Sequence, residues 1–327
     1  CSMAFQKVVV AGGGVLGSQI AFQSAYCGLD TTIWLRSEGS IGRTQPKIDQ
    51  LVKDYHAQID EMAEALKKSQ EEGEPMPTGA WAMGIADPDN FDPDACHKKV
   101  DEATKNLCLE LDMAKAVEDA DVVVESMAEQ EKAKIDFYKK LAPLMPAKTV
   151  LVTNSSSLLP STFARYTGRP DRYLAMHFAN HIWKNNIAEV MAQSKTSAAS
   201  FDAVIGFAKK IRMVPLPVHK EKAGYLLNSM LIPFLFSAMD LYVNGISDPE
   251  SIDAAWVRGT GSPNGPFQIL DVVGLVTAYN IVQPYTKIPG FVAPYNFKGI
   301  SAMLKKKIDA GETGVAAGKG FYDYSQK

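Results

Sequence analysis

A glycine cluster near the start of the chain, set between a β-branched run and a helical pattern, constrains the fold more than any other feature. Lys7–Ala11 (KVVVA) is short, apolar and β-branched and stops at glycines, so it reads as a buried strand. Gly12–Gly13–Gly14–Val15–Leu16–Gly17 follows and fits the spacing G-x-G-x-x-G. Ser18–Cys27 then carries a helical pattern that Gly28 can end, and Thr31–Leu35 is a second strand. Strand, tight turn, helix and strand with short connections imply a right-handed crossover between parallel strands.

In that setting each glycine has a reason. Gly12 permits the tight turn, Gly14 lets a pyrophosphate approach the backbone, and Gly17 lets helix and strand pack closely. The first helical N–H groups, at Val15, Leu16 and Gly17, would meet the phosphates. The competing reading is a plain structural turn. The tip of the second strand should offer an acid to the ribose 2′-hydroxyl of NAD, yet it reads Leu35–Arg36–Ser37. Arg36 could pair with the 2′-phosphate of NADP, with Ser37 as a second donor, so NADP is expected over NAD. A solvated Arg36 beside an NAD site lacking its acid is the alternative.

The rest of the chain fits a two-domain enzyme. Its 327 residues suggest about two domains. With 34 Lys+Arg against 37 Asp+Glu the net charge is −3, which lacks the cation excess that nucleic acid or a membrane surface requires. Cys1, Cys27, Cys96 and Cys108 are too few and too scattered for a disulfide framework or a zinc site, so a reduced cytoplasmic setting and no metal are expected. No secretory signal pattern opens the chain, and Met3 reads as the natural start. The apolar stretch Tyr225–Val243 contains Asn228, Ser229, Asp240 and Pro233 and reads as a buried or interface helix rather than a membrane span.

Thr44–Glu72 has apolar residues at spacings of three and four and predicts a long amphipathic helix; Gly73–Asp94 reads as a loop. Strands are expected at Ala120–Glu125, Thr149–Asn154, Arg172–His177 and Ile187–Met191, with helices at Glu131–Leu141 and Thr196–Arg212. Val214–His219 is extended, with two prolines. From Lys220 onward only helical signals remain, at Gly224–Asn244, Pro249–Thr260, Pro266–Val282 and Phe297–Gly311. The expected architecture is an α/β Rossmann-type doubly wound domain over 1–219, with a helical excursion at about 44–110, followed by an all-α C-terminal domain over 220–327.

A more specific signal is an ordered set of segments. It begins with Ala120–Leu158, ADVVVESMAEQEKAKIDFYKKLAPLMPAKTVLVTNSSSL. His177–Phe178–Ala179–Asn180, Ala188–Glu189–Val190, Ala223–Gly224–Tyr225–Leu226–Leu227–Asn228, Gly265–Pro266–Phe267 with Asp271, and Gly318–Lys319–Gly320–Phe321–Tyr322 follow. Together they resemble the short-chain L-3-hydroxyacyl-CoA dehydrogenase family, also called 3-hydroxybutyryl-CoA dehydrogenases. The resemblance implies an NAD(P)-dependent oxidoreductase of fatty-acid metabolism, acting on an acyl-CoA substrate and assembled as a homodimer through its C-terminal domain.

The resemblance also implies roles for residues. His177 would be the general acid–base and Glu189, twelve residues on, its partner. Ser156, Asn180 and Asn228 would contact substrate or order the histidine, and Glu125, Lys132 and Asn154 would lie near the cofactor. A strand-end turn for Ser156, a buried amide for Asn228 and a solvated salt bridge for Glu125 and Lys132 are the competing readings. His181 stands where the family usually has proline and is expected to face solvent; His219 reads as structural. Asn228–Ser229 replaces the family's frequent Asn-Arg, and the match is weakest over 38–110, which leaves acyl length and the CoA carrier open. Two other functional readings remain: a dehydrogenase of a small hydroxy acid, as in gulonate- or carnitine-type relatives, and a non-catalytic nucleotide-binding protein.

Overall fold

The computed structural model describes residues 4–76 and 79–326. The expected start at Met3, and Pro77 and Thr78 of the expected loop, lie outside the described residues. Contacts divide the chain into two units, Cys1–Leu226 and Leu227–Lys327.

The first unit begins with β1 (Lys7–Ala11), α1 (Val15–Tyr26) and β2 (Asp30–Trp34). Next come α2 (Glu38–Glu72), α3 (Pro93–Asn106), β3 (Leu107–Glu110) and a short α4 (Met113–Val117). They are followed by β4 (Val122–Glu125), α5 (Glu131–Leu141), β5 (Val150–Thr153), β6 (Tyr173–Phe178), β7 (Ile187–Met191), α6 (Ala198–Lys210) and β8 (Val214–Val218). The eight strands form one sheet in the order β3-β2-β1-β4-β5-β6-β7-β8. β3 through β6 pair in parallel, while β7 runs antiparallel to β6 and β8 parallel to β7. The chain leaves β1 toward β2 on one side and returns to β4 on the other. This reversal opens a crevice at the carboxyl ends of β1 and β4, where doubly wound sheets bind ligands.

Burial explains the sequence pattern. β4 (VVVE) and β5 (VLVT) are buried at every position, because helices cover both faces of the sheet. Pro215 and Pro217 are tolerated because β8 is an edge strand: two residues apart, their missing N–H groups fall on the same unpaired side.

Three expectations need correction. α2 starts at Glu38, with Ser37 at the N-cap position, and runs through Pro46, so it begins six residues before Thr44. The 44–110 excursion is not wholly helical, since Leu107–Glu110 returns as edge strand β3 beside β2. Four residues directly after a helix are too few for strand alternation to be legible. The expected helix Pro266–Val282 is two helices, broken at Gly274, whose φ of 96° only glycine adopts readily.

The second unit contains α7 (Leu227–Val243), α8 (Pro249–Thr260), α9 (Pro266–Val273), α10 (Leu275–Val282) and α11 (Phe297–Asp309). Two buried carboxylates organise it. Asp253 accepts bonds from the backbone N–H groups of Phe267 and Gln268 and from the Tyr322 hydroxyl. Asp271 accepts bonds from the N–H groups of Phe321 and Tyr322 and from the Tyr324 hydroxyl. The Gly-Pro-Phe and Gly-Phe-Tyr segments are therefore tied together by internal charge-assisted bonds. Among the described residues no helix is long and apolar enough to cross a membrane.

Candidate active site

The glycine turn lies at the carboxyl end of β1, against the segment Ser126–Ala128 that follows β4. Gly12 has φ 116°, and a methyl group there would collide with the Ser126 carbonyl; one on Gly17 would collide with the Gly12 carbonyl. A methyl on Gly13 would strike Thr44 of α2, so the unassigned middle glycine lets that helix seat on the turn. Gly14 differs, because a methyl there would meet nothing within 4 Å. Gly14 also caps α1 without a side-chain acceptor, leaving the first-turn N–H groups, Val15 and Leu16 among them, for an incoming anion. The turn therefore fits a dinucleotide: three glycines close the backbone on itself and the fourth opens outward. The adjoining cavity of about 430 Å³ is lined by Arg36 and Ser37, and also by Ser40, Arg43 and Lys47 of α2.

The second half of the site stands on β6 and β7. His177 and Glu189 are directly opposed partners of this antiparallel pair, so their side chains emerge on one face. The twelve-residue spacing is the length of the connection that returns the chain to that register. His177 Nδ1 lies 3.1 Å from Glu189 Oε1. A carboxylate only accepts, so Nδ1 carries the hydrogen and Nε2 of the neutral ring presents its lone pair outward. The Glu189 side chain is 1% exposed, and its other oxygen accepts the Leu226 N–H at 2.7 Å. The His177 ring stacks on Tyr225 with centroids 4.6 Å apart. Tyr225 donates to the Ser155 carbonyl at 2.6 Å. Burial, reinforced by the Glu189 charge, pushes its phenol above the usual range, so it remains a donor. The ring of His177 is thus held by an edge bond and by a face contact.

The other expected site residues divide sharply. Asn154 accepts the Phe178 N–H at 3.1 Å and ties the ends of β5 and β6 together. Ser156 is exposed between Ser155 and Ser157, both of which donate to Glu129. Asn180 accepts from the Gln19 amide at 2.9 Å, and Gln19 in turn accepts the His181 N–H. His181 is exposed, in a left-handed conformation with φ 59°. His219 is exposed beside the Phe201 ring. Asn228 stands in the first turn of α7, in the second unit.

Glu125 and Lys132 are not brought together. Glu125 is fully buried, and its oxygens accept from Lys134 Nζ, the Met127 N–H, the Tyr138 hydroxyl and the Thr153 hydroxyl. Its salt bridge is internal and dry, at 2.7 Å to Lys134, while Lys132 is exposed. Lys134 also reaches Glu129 at 3.2 Å. Burial alone would raise the Glu129 carboxyl, but the Ser155 and Ser157 bonds and the Lys134 charge outweigh it and hold it below the usual carboxylate range.

Sequence reasoning missed Gln19, Arg43, Glu129, Lys134 and Tyr225 as organisers of the site. For Lys134 a signal existed: it shares the spacing of Phe137, Tyr138 and Leu141, the buried face of α5.

Comparison with known proteins bears on this arrangement. Residues 7–222 match the family described as 3-hydroxyacyl-CoA dehydrogenase, NAD binding domain, and residues 224–324 match its C-terminal domain. The chain is 29% identical over 319 residues to the human mitochondrial hydroxyacyl-coenzyme A dehydrogenase, covering 98% of this chain and 91% of that one. It is 28% identical over 325 residues to a 3-hydroxybutyryl-CoA dehydrogenase of Clostridioides difficile, covering 98% and 100%. A solved structure of a diketoreductase, described for substrate-directed dual catalysis of dicarbonyl compounds, superposes with a TM-score of 0.80 at 42% identity, covering 98% and 99%.

Proposed function

The chain belongs to the 3-hydroxyacyl-CoA dehydrogenase family, and we propose that it interconverts a 3-hydroxyacyl and a 3-oxoacyl compound with NADP(H) as the preferred cofactor. The His177–Glu189 pair carries this reading. A nicotinamide, when bound, supplies the hydride donor or acceptor. The chain's own part is the proton. In oxidation His177 Nε2 takes the proton of the 3-hydroxyl; in reduction the imidazolium returns it to the 3-oxygen. Glu189 keeps Nδ1 protonated and stabilises the imidazolium, and Tyr225 keeps the ring plane fixed. The exposed Ser156 hydroxyl is suited to hold the substrate oxygen, with Asn180 as a further polar contact. Arg36 and Ser37 at the tip of β2 support NADP(H), since no carboxylate lines the cavity there among the described residues.

A second reading keeps this chemistry but uses a free small dicarbonyl or hydroxy acid as substrate. It is favoured by the 42% identity to the diketoreductase and by the absence of a basic residue at Ser229. The test is the loss of absorbance at 340 nm with NADPH or NADH, using acetoacetyl-CoA in one arm and a free 1,3-dicarbonyl acid in the other. Turnover of acetoacetyl-CoA alone supports the thioester; turnover of the free acid alone moves the assignment to the second reading. No turnover in any arm refutes both.

We also propose a homodimer through the second unit. Met230, Leu241, Ile246 and Trp256 are exposed there, and Leu241 and Trp256 line an apolar cavity of about 440 Å³. Light scattering at micromolar concentration should give twice the chain mass; a monomer refutes the proposal.

A further inference from the structure

We propose that Arg43 of α2 determines cofactor choice: with Ser37 and Ser40 it forms a subsite for a phosphomonoester, the 2′-phosphate of NADP(H). This rests on the cofactor reading above and adds to it a residue from a different element. Ser40, Arg43, Thr44 and Lys47 recur at spacings of three and four and so share one face of α2. The Thr44 hydroxyl donates to the Gly13 carbonyl at 3.3 Å, which turns that face toward the glycine turn. All four residues line the cavity beside it.

The side chains are already linked. Arg43 Nη2 donates to Ser40 Oγ at 3.0 Å, and Ser40 Oγ lies 3.2 Å from Ser37 Oγ. Because Ser40 accepts from Arg43, its own hydrogen is available to Ser37 or to a ligand, and one serine hydroxyl is left to donate outward. The guanidinium leans over the first turn of α2, since a methyl group on Gly39 would sit 3.4 Å from Arg43 Nη1. Only part of its five-donor fork is used internally. Lys47 is tied to the Arg43 carbonyl at 3.1 Å and adds a third positive charge to the wall. Glu38, the acid in the first turn of α2, is not among the residues lining the cavity. A neutral ribose hydroxyl has no use for three cations; a dianionic phosphate does, and the planar guanidinium matches it in a way a lysine cannot.

The test is equilibrium binding followed by intrinsic fluorescence, with adenosine 2′,5′-bisphosphate and adenosine 5′-monophosphate as probes, alongside NADPH and NADH. Wild type should bind the bisphosphate more tightly. Arg43→Ala should weaken bisphosphate and NADPH about three- to tenfold, the range expected for an exposed charge-assisted bond, and change the monophosphate and NADH less than about twofold. Arg43→Lys should recover only part of the loss. If wild type prefers the bisphosphate and Arg43→Ala keeps that preference while Arg36→Ala removes it, the role of Arg43 is overturned and the NADP(H) reading stands. If wild type shows no preference for the 2′-phosphate, both are overturned.

Discussion

The two sides of the crevice are built on opposite principles. On the β4–β7 side, Glu125, Lys134 and Glu189 are almost wholly buried, and each of the three has a partner inside the protein. On the β2–α2 side, Arg36, Ser37 and Arg43 are exposed; Ser37 and Arg43 are linked through the Ser40 hydroxyl, and Arg36 has no hydrogen bond or ion pair among the described residues. The first arrangement fixes the His177 ring in one orientation. The second keeps charge available for a ligand at little cost in folding energy, because exposed cations remain hydrated. Substitutions on the first side should therefore change chemistry or stability, and those on the second should change which cofactor binds.

The largest effect should come from His177→Ala, which removes the imidazole proposed as the proton carrier. Turnover is expected to fall by roughly two to four decades, while cofactor affinity changes less than about twofold. Steady-state rates with acetoacetyl-CoA and cofactor titration by fluorescence check both halves. A variant as fast as wild type would remove the acid–base assignment altogether.

Lys134→Met comes next and probes stability rather than chemistry. It removes the cation from a buried carboxyl and leaves neutral donors around Glu125. Breaking a buried pair in this way costs about 3–5 kcal/mol, which for a domain of this size lowers the melting temperature by roughly 10 °C. Lys132→Met, two residues away on the exposed face of α5, should leave the melting temperature within about 1 °C, the usual result for an exposed position. Equal shifts for the two variants would contradict the internal salt bridge.

That pair of lysines also marks how far the sequence alone could reach. The strand tip Glu125 and a lysine-rich helix were both visible, but a strand-end acid looks the same whether it turns inward or toward a ribose. Its partner is set by the face of α5 rather than by proximity in sequence. His177 and Glu189 were legible because a resemblance spanned both and their register on β6 and β7 makes the spacing meaningful. Arg43 was hidden because the helix pattern shows itself only from Thr44 onward; Pro46 and two glycines, Gly39 and Gly42, mask the first turns of α2. β3 and the break at Gly274 depend on tertiary partners, β2 for the strand and the Thr313 carbonyl for the Leu275 N–H.

Glu189→Gln should have a smaller effect than removing the histidine. The amide can still accept the Leu226 N–H, so the fold around Tyr225 should persist. The charge-assisted bond to Nδ1 is lost, worth about 1.5–3 kcal/mol, or roughly 10- to 150-fold in turnover. Circular dichroism unchanged from wild type, together with a rate in that range, is the expected pair of results. Wild-type turnover in Glu189→Gln would show that the carboxylate positions β7 without acting on the imidazole.

The smallest effect, and the one that tests the exposed side, is Arg36→Asp. Arg36 stands just past β2, where a dinucleotide-binding sheet meets the adenosine ribose. An aspartate there accepts a hydrogen bond from a 2′-hydroxyl and repels a 2′-phosphate, so NADH should gain and NADPH should lose. Each change is limited by hydration, because an exposed pair contributes up to about 1 kcal/mol, roughly fivefold. The ratio of the two affinities should therefore move by about an order of magnitude. Salt supplies an independent control: both cofactors share the anionic pyrophosphate and only NADPH adds the 2′-phosphate, so raising ionic strength should weaken NADPH more than NADH and erode the expected NADPH preference. A ratio that does not move in Arg36→Asp, with a preference insensitive to salt, would show that Arg36 is a solvated surface residue and that the side of the crevice formed by β2 and α2 does not select the cofactor by charge.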